Sequence, residues 1–161
     1  MPAGKEARLY VSPSEVDTST AVATLQTDTS FVETCVTDVT VTLSATEIDA
    51  SDRCGNGFKA SVQGLKEFSI EFSLIKKKTA SALPAYFTNL RDAFLNNTLV
   101  TVLVLDGPQG TEGSDGFVAV CSVFDFSEDQ QLEEVIKNNI TLKYSGDSVY
   151  PPVAVTMPAP A

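Results

Sequence analysis

Glu67 and Glu71 are the two residues of this 161-residue chain whose type and spacing come closest to a catalytic pair. They lie four positions apart in the segment KEFSIEFSLI, where Phe, Ile and Leu alternate with Glu and Ser. This period of two predicts a β-strand, along which the two carboxylates are separated by about 13 Å. Two carboxylates that cleave a glycosidic bond stand roughly 5–9.5 Å apart. A glycosidase pair is therefore not expected.

Other reactive arrangements lack the residues that they need. The chain contains no histidine, which removes Ser-His-Asp and Cys-His catalysis and the usual general base near neutral pH. The GNG segment at residues 55–57 is not followed by the Lys-Ser/Thr of a phosphate-binding loop. Asp106, Glu112 and Asp115 lack the spacing of a calcium loop, so a polar turn is predicted there. No catalytic, cofactor-binding or metal-ligating residue is expected.

Composition narrows the function classes further. Cys35, Cys54 and Cys121 are widely separated and odd in number, so we interpret them as buried or inert thiols in a reducing compartment rather than a disulfide framework or zinc cluster.

A net charge of −10 argues against a protein that binds phosphate groups. The acidity serves solubility or, alternatively, repels nucleic acid. Neither a membrane-spanning segment nor a secretion signal is expected.

The strand that carries Glu67 and Glu71 must have two unlike faces. One face is apolar and is predicted to pack on the core, and it consists of Phe68, Ile70, Phe72 and Leu74. The other face is polar and consists of Glu67, Ser69, Glu71 and Ser73. Turning the strand over would expose four large apolar groups, so the direction of both faces is fixed.

A helix of about four turns is predicted after this strand, in the segment LPAYFTNLRDAFLNN. Its apolar positions form one stripe that packs on a sheet, namely Leu83, Phe87, Leu90 and Phe94. Pro84 suits the first turn, Ser81 is a plausible N-cap, and Asn96-Asn97 ends the helix. The following segment, LVTVLVLD, is apolar throughout and predicts a strand that is covered on both faces.

The remaining segments predict a single domain over residues 1–161. Strand-like segments at residues 8–11, 38–49, 58–62, 117–126 and 136–144 join the two strands above, with a turn at 52–57 and a break or bulge at Gly64. The expected fold is mainly β, an antiparallel β-sandwich or half-barrel of six to seven strands with one flanking α-helix. Residues 12–35 predict an extended loop and residues 149–161 a Pro-rich C-terminal arm, both ordered by neighbouring molecules rather than by the domain's own core.

The order of these segments resembles that of a known family. An alternating strand ends in TEIDASDR, and GNGFKASVQGLKEFSIEFSLI follows it. Then come LRDAFLNNTLVTVLVLD and GFVAVCSVFDFSEDQQLEEVIKNNITLKYSG. Over about residues 37–146 this order is similar to that of the phage major tail proteins, the tail tube subunits of long-tailed phages and related gene transfer agents. The chain departs from the family in its Ser/Thr-rich N-terminal segment and its Pro-rich tail.

The resemblance implies a structural subunit of the virion tail, assembled in the host bacterial cytoplasm, and not an enzyme. Six subunits would form a ring, and the rings would stack into a tube whose inner wall is a continuous sheet with four strands from each subunit. The implied lumen-lining residues are Glu67, Ser69, Glu71 and Ser73, which would give a negatively charged channel for genome passage. The implied partners are further copies of the chain, tape measure, terminator and tip proteins, and double-stranded DNA that passes without specific binding. No cofactor or membrane is implied.

Two alternatives remain open. The inner tube protein of a contractile tail or injection system shares this fold, and the sequence does not separate it from the first interpretation. A β-sandwich binding module, such as an adhesin or carbohydrate binder, would present exposed aromatic residues. Tryptophan is absent and the Phe residues fall on inward phases, which disfavours that module.

Overall fold

A computed structural model describes residues 7–19, 22–54, 57–76, 83–130, 132, 135–146 and 148–159. These residues form two helices, α1 (Val22–Thr27) and α2 (Ala85–Asn96), and eight strands. The strands are β1 (Arg8–Ser12), β2 (Val32–Thr34), β3 (Val36–Asp49), β4 (Ser61–Ile75), β5 (Leu99–Leu105), β6 (Asp115–Asp129), β7 (Lys137–Tyr144) and β8 (Val153–Thr156).

The eight strands form one antiparallel sheet in the order β2-β1-β5-β6-β7-β4-β3, with β8 also paired to β6. The long strand β6 joins the two halves of the sheet, because residues 116–122 pair with β5 and residues 121–129 pair with β7. β8 pairs with residues 115–118 of β6, beyond the end of β7. The expected antiparallel, mainly β fold is confirmed, and the short strands β2 and β8 add to the predicted set.

The main core lies between one face of the sheet and α2. The apolar face of β4 supplies four of its side chains, each at most 4% exposed, as the alternation predicted: Phe68, Ile70, Phe72 and Leu74. Across the interface Phe87 of α2 meets Phe126 of β6 edge to face, with ring centroids 5.6 Å apart. Such aromatic pairs add to the stabilisation that burial alone provides.

The buried stripe of α2 differs from the predicted one at both ends. Phe87 and Leu90 are buried as expected, whereas Phe94 is 43% exposed and Leu83 precedes the helix and is only partly buried. The prediction for Phe94 is wrong because, in the last turn, the small Ala93 takes the position against the sheet. Tyr86, Phe87, Leu90 and Ala93 are the buried residues of the helix.

The ends of α2 also show how the sequence defines its length. Pro84 occupies the N-cap position, one residue before the first helical turn, and Ser81 lies outside the described residues. Asn97 adopts a left-handed conformation at φ 54°, and its N–H bonds to the Ala93 carbonyl oxygen. Asparagine tolerates this conformation better than most residues, so the predicted helix end is confirmed.

A second, smaller core brings the segments around α1 and β8 together, in contrast to the expectation that neither packs within the domain. Its buried side chains are Tyr10, Leu25, Phe31, Leu103, Leu105, Val118, Val155 and Met157. Gln26 Nε2 donates to the Pro158 carbonyl oxygen at 2.8 Å, and Thr18 Oγ1 donates to that of Pro151 at 2.8 Å. Each segment alone has too few apolar residues for a core, and together they complete one.

The β3–β4 hairpin extends well beyond the main core, since its two strands have 14 and 15 residues. Its register shifts between Ala45 and Glu47, opposite Gly64, where a Cβ would lie 3.0 Å from the Thr46 carbonyl oxygen. Gly64 and Leu65 of β4 lie opposite Thr46 alone, so the predicted irregularity at Gly64 is a bulge in β4 itself. At the tip, Gly57 has φ +82°, in agreement with the predicted turn, while Asn56 lies outside the described residues.

The core position of Phe87 can be tested against Phe94 in the same helix. Phe87→Ala should lower the free energy of unfolding by about 3–5 kcal/mol, because it removes a buried aromatic ring and leaves a cavity. Phe94→Ala is the matched control and should cost less than about 1 kcal/mol. Urea unfolding of both monomeric variants measures this, and equal losses would contradict the arrangement of α2.

The second core can be tested at α1, where Leu25 is 1% exposed and Thr24 is exposed. Leu25→Ala should cost about 2–5 kcal/mol in unfolding free energy, because the side chain packs between the N-terminal and C-terminal segments. Thr24→Ala should change the stability by less than about 0.5 kcal/mol. If Leu25→Ala were as mild as its control in the dilute monomer, the two segments would not form a core within one molecule.

Candidate functional site

The most extensive polar feature of the described residues is one face of the four neighbouring strands β3, β4, β7 and β6. Directly opposed residues on neighbouring strands share a face, so the pairing register identifies its members. One row across the strands is Thr42, Ser69, Lys143 and Ser122, and the next is Thr40, Glu71, Thr141 and Asp125. Ser73, Asn139 and Ser127 form a third row over three of the strands. We call these residues, together with Glu67, the polar face.

Hydrogen bonds between strands hold part of the polar face in place. Ser73 Oγ donates to Asn139 Oδ1 at 2.7 Å, and Ser127 Oγ donates to the carbonyl oxygen of Asn139 at 3.3 Å. Lys143 Nζ lies 4.0 Å from Glu67 Oε1 and 5.6 Å from the centre of the Phe124 ring. Lys143 is thus held between a carboxylate and an aromatic ring, both of which offset its positive charge.

The predicted site residues of β4 all lie on this face. Glu67 and Glu71 are exposed, and Ser69 and Ser73 are half-buried between them. The pairing also places Asp125, Asp129, Lys137 and Lys143 on this side of the sheet. Carboxylates therefore outnumber ammonium groups four to two on the paired strands. The face is acidic overall and contains no close-set catalytic pair.

Both outer edges of this four-stranded part are open within the described residues. β3 is the last strand of the sheet order, so its outer edge has no partner among them. On the other side, β5 pairs with β6 only as far as Ser122, and residues 123–129 of β6 pair with β7 alone. Unpaired strand edges present free N–H and C=O groups that can pair with another chain. Sequence reasoning missed these edges because they depend on the register between strands.

A bulge in β6 changes one predicted side-chain direction. The register shifts between Val123 and Asp125, and Phe124 between them is 58% exposed instead of facing the core. Phe58 at the hairpin tip is 84% exposed, because it lies beyond the last core residue of β4. The expectation that the Phe residues fall on inward phases is therefore wrong for Phe58, Phe94 and Phe124. The expected lack of exposed aromatic rings therefore no longer argues against a binding module.

The other candidate groups have structural roles. Asp106 Oδ1 accepts a hydrogen bond from the N–H of Asp115 at 2.8 Å, and Asp115 Oδ1 accepts one from Thr156 Oγ1 at 2.8 Å. These carboxylates close the predicted turn and fasten β8. No group of three or more potential metal ligands occurs among the described residues.

The cysteines are not brought together. Cys35 and Cys54 are exposed and Cys121 is buried in the main core, so of the expected buried or inert thiols only Cys121 is a buried one. Burial raises the pKa of the Cys121 thiol to about 12, so it remains protonated and unreactive near neutral pH. No helix of the part of the chain that the structure describes is long and apolar enough to cross a membrane.

Comparison with known proteins identifies the fold. No protein-family model and no curated protein sequence matches the chain. A chain in the virion of a native gene transfer agent particle has a TM-score of 0.65 and 10% identity, over 98% of this chain and 99% of that one. A chain of the SPP1 tail tube, from solid-state NMR and cryo EM, has a TM-score of 0.67 and 12% identity, over 98% and 81%.

Chains from two further assemblies are also similar to this chain in fold. A chain in the tail of an empty gene transfer agent particle, refined with helical and C6 symmetry, has a TM-score of 0.66 and 10% identity, over 98% of this chain and 99% of that one. A chain in the six-fold symmetrised baseplate of the anti-feeding prophage has a TM-score of 0.51 and 7% identity, over 93% and 91%. The resemblance found in the sequence is thus confirmed at the level of fold: the chain folds as phage tail tube proteins do.

Proposed function

We propose that this protein is a structural subunit of a phage tail tube, and that six copies form a ring which stacks with further rings into a hollow tube. The observation that carries the proposal is the polar face on four strands whose two outer edges are both open. Such a sheet closes its edges by joining equivalent sheets around a barrel. The likeness to chains of gene transfer agent and SPP1 tails supports this choice among β proteins.

The open edges suggest how one copy meets the next. The outer edge of β3 in one copy pairs with residues 123–129 of β6 in its neighbour, and the repeat closes after six copies. Four strands from each of six copies, about 4.8 Å apart and tilted by about 40°, give a circumference of about 150 Å and a backbone diameter of about 48 Å. Side chains narrow this by about 10 Å, which leaves room for duplex DNA. The C6 symmetry of one structural neighbour agrees with this number of copies.

In this arrangement the polar face lines the channel. Glu67 and Glu71 then project into the lumen with Ser69 and Ser73 between them, because the opposite side of β4 is committed to the core. Six copies, each with a formal net charge of −10, bring about −60 charges to a ring. An acidic wall repels the phosphate backbone and displaces no counterions from the DNA. Double-stranded DNA therefore passes without being held.

The proposed role requires neither catalysis nor a cofactor, and it places the protein in the tail of the virion after assembly in the host cytoplasm. Its partners are further copies of itself, the tape measure protein inside the tube, and terminator and tip proteins at the two ends. The inner tube of an injection system is a second candidate, favoured by the likeness to a chain of the anti-feeding prophage baseplate. A contractile sheath around the tube would distinguish that candidate.

Microscopy of the purified protein tests self-assembly. We expect negative-stain images to show rings or tubes with six-fold symmetry and a central channel, because open strand edges join when their concentration rises. A parallel sample at micromolar concentration in dissociating conditions should contain monomers. A protein that remains monomeric at millimolar concentration, in low and in high salt, would contradict the proposal.

The charge of the channel is tested by reversing it at Glu67 and Glu71. The double variant Glu67→Lys, Glu71→Lys should still form tubes, since both side chains are exposed and neither packs in the core. Particles that carry it should release DNA more slowly, and the difference should shrink as salt rises, because the new contacts with phosphates are electrostatic.

Two controls accompany this experiment. Glu67→Gln with Glu71→Gln removes the charges while it preserves shape, and should have a smaller effect than reversal. Glu112→Lys reverses one carboxylate, half the charge change of the double variant, at an exposed position of the 106–114 turn away from the polar face, and should leave release unchanged. Equal release rates for the reversed pair and wild type at low salt would show that these carboxylates do not face the DNA.

A further inference from the structure

The outer part of the β3–β4 hairpin carries large apolar side chains that nothing in the described molecule covers. Ile48 and Val62 lie directly opposite each other and are 52% and 55% exposed, and Phe58 at the tip is 84% exposed. Single exposed apolar residues are normal on protein surfaces. A cluster of them at one protruding end indicates a contact surface for another molecule.

Polar contacts join the two strands next to the tip that presents Phe58. Ser61 Oγ donates to Glu47 Oε1 at 2.5 Å, and Lys59 Nζ lies 3.1 Å from the same oxygen. The N–H of Ala50 bonds to the carbonyl oxygen of Ala60 at 2.9 Å, which closes the loop. These contacts fix the strands on both sides of Phe58, which lowers the conformational entropy that this part of the hairpin loses when it binds.

An apolar pocket of about 360 Å³ lies beside the middle of the hairpin, away from its tip. Its walls are Leu43, Phe68, Tyr144, Pro151 and Pro152, with Lys66 and Glu67 also lining it. Two hydrogen bonds fix these walls, since Tyr144 Oη donates to the carbonyl oxygen of Ser148 at 3.3 Å and Thr18 Oγ1 to that of Pro151 at 2.8 Å. The pocket therefore offers a preformed apolar site large enough for an aromatic side chain.

The tip and the pocket of one molecule cannot meet. Phe58 lies ten positions before Phe68 on an extended hairpin, which places it roughly 30 Å from the pocket. Because the knob and the pocket lie at different places, the contact can repeat head to tail from copy to copy.

We propose that Phe58 of one copy inserts into the pocket formed by Leu43, Tyr144, Pro151 and Pro152 of a second copy. An aromatic ring that is buried in this way removes roughly 150–250 Å² of surface from water and forms the centre of the contact. The inference rests on the self-association proposed above, but it does not depend on six-fold closure of the rings. It gives the Pro-rich segment at residues 151–152 a role in receiving another subunit.

Disulfide trapping tests the contact directly. Cys35→Ser and Cys54→Ser first remove the two exposed thiols, and Phe58→Cys with Pro152→Cys then places one thiol at the tip and one in the pocket. Mild oxidation of the assembled protein should give a ladder of covalent oligomers on a non-reducing gel. The control pair Phe94→Cys with Pro152→Cys should give no ladder, because Phe94 lies on α2 and not on the hairpin.

The outcomes separate this inference from the proposed tail tube. Tubes without a ladder would overturn the pocket contact and leave the tube standing. A ladder from chains that form no rings or tubes would support the contact and overturn the tube. Protein that neither associates nor cross-links would overturn both.

A second pair of variants avoids any effect of the engineered thiols. Phe58→Ser should weaken self-association by at least about tenfold in sedimentation, as expected for the loss of a central aromatic contact. Its unfolding in urea should match wild type, since Phe58 makes no core contact in the monomer. Phe94→Ser, the matched loss of a partly exposed aromatic ring on α2, should weaken association less. Unchanged association of Phe58→Ser would overturn the proposal.

Discussion

The alternation of side chains along β4 is the constraint on which the rest of the structure depends. Burial of Phe68, Ile70, Phe72 and Leu74 under α2 fixes the direction of every other residue on this strand. A shift of one position in the pairing would turn all four outward, so the register with β3 and β7 is strongly determined. The polar face of β4 is thus a consequence of the core. Cross-strand pairing places polar residues of β3, β7 and β6 on the same face.

The second core has an equally direct effect on the edges of the sheet. By packing α1 and β8 over Leu103, Leu105 and Val118, it secures the far end of β6 within the domain. The other end of β6 then runs past β5, which leaves that edge of β6 without a neighbouring strand among the described residues. A strand that is anchored at one end and unpaired at the other is well suited to join a neighbouring sheet, since its position is already fixed.

The sequence predicted those features that depend on neighbouring residues. The two faces of β4, the end of α2 at Asn97 and the irregularity at Gly64 follow from local periodicity and backbone preference. α1 and β8 could not be predicted in this way, because Leu25 shares its buried cluster with Val155 and Met157, which lie far away in the sequence. The outward turn of Phe124 and the open edges depend on register shifts that no local pattern encodes.

The central claim is that the four-stranded sheet becomes part of a continuous wall when copies associate. A helical reconstruction of the assembled protein by cryo-electron microscopy tests it most directly. We predict that β3 of one copy runs about 4.8 Å from residues 123–129 of β6 in the next copy, at hydrogen-bonding distance around the whole ring. A map in which copies touch through other surfaces, while both of these strand edges face solvent, would contradict the account.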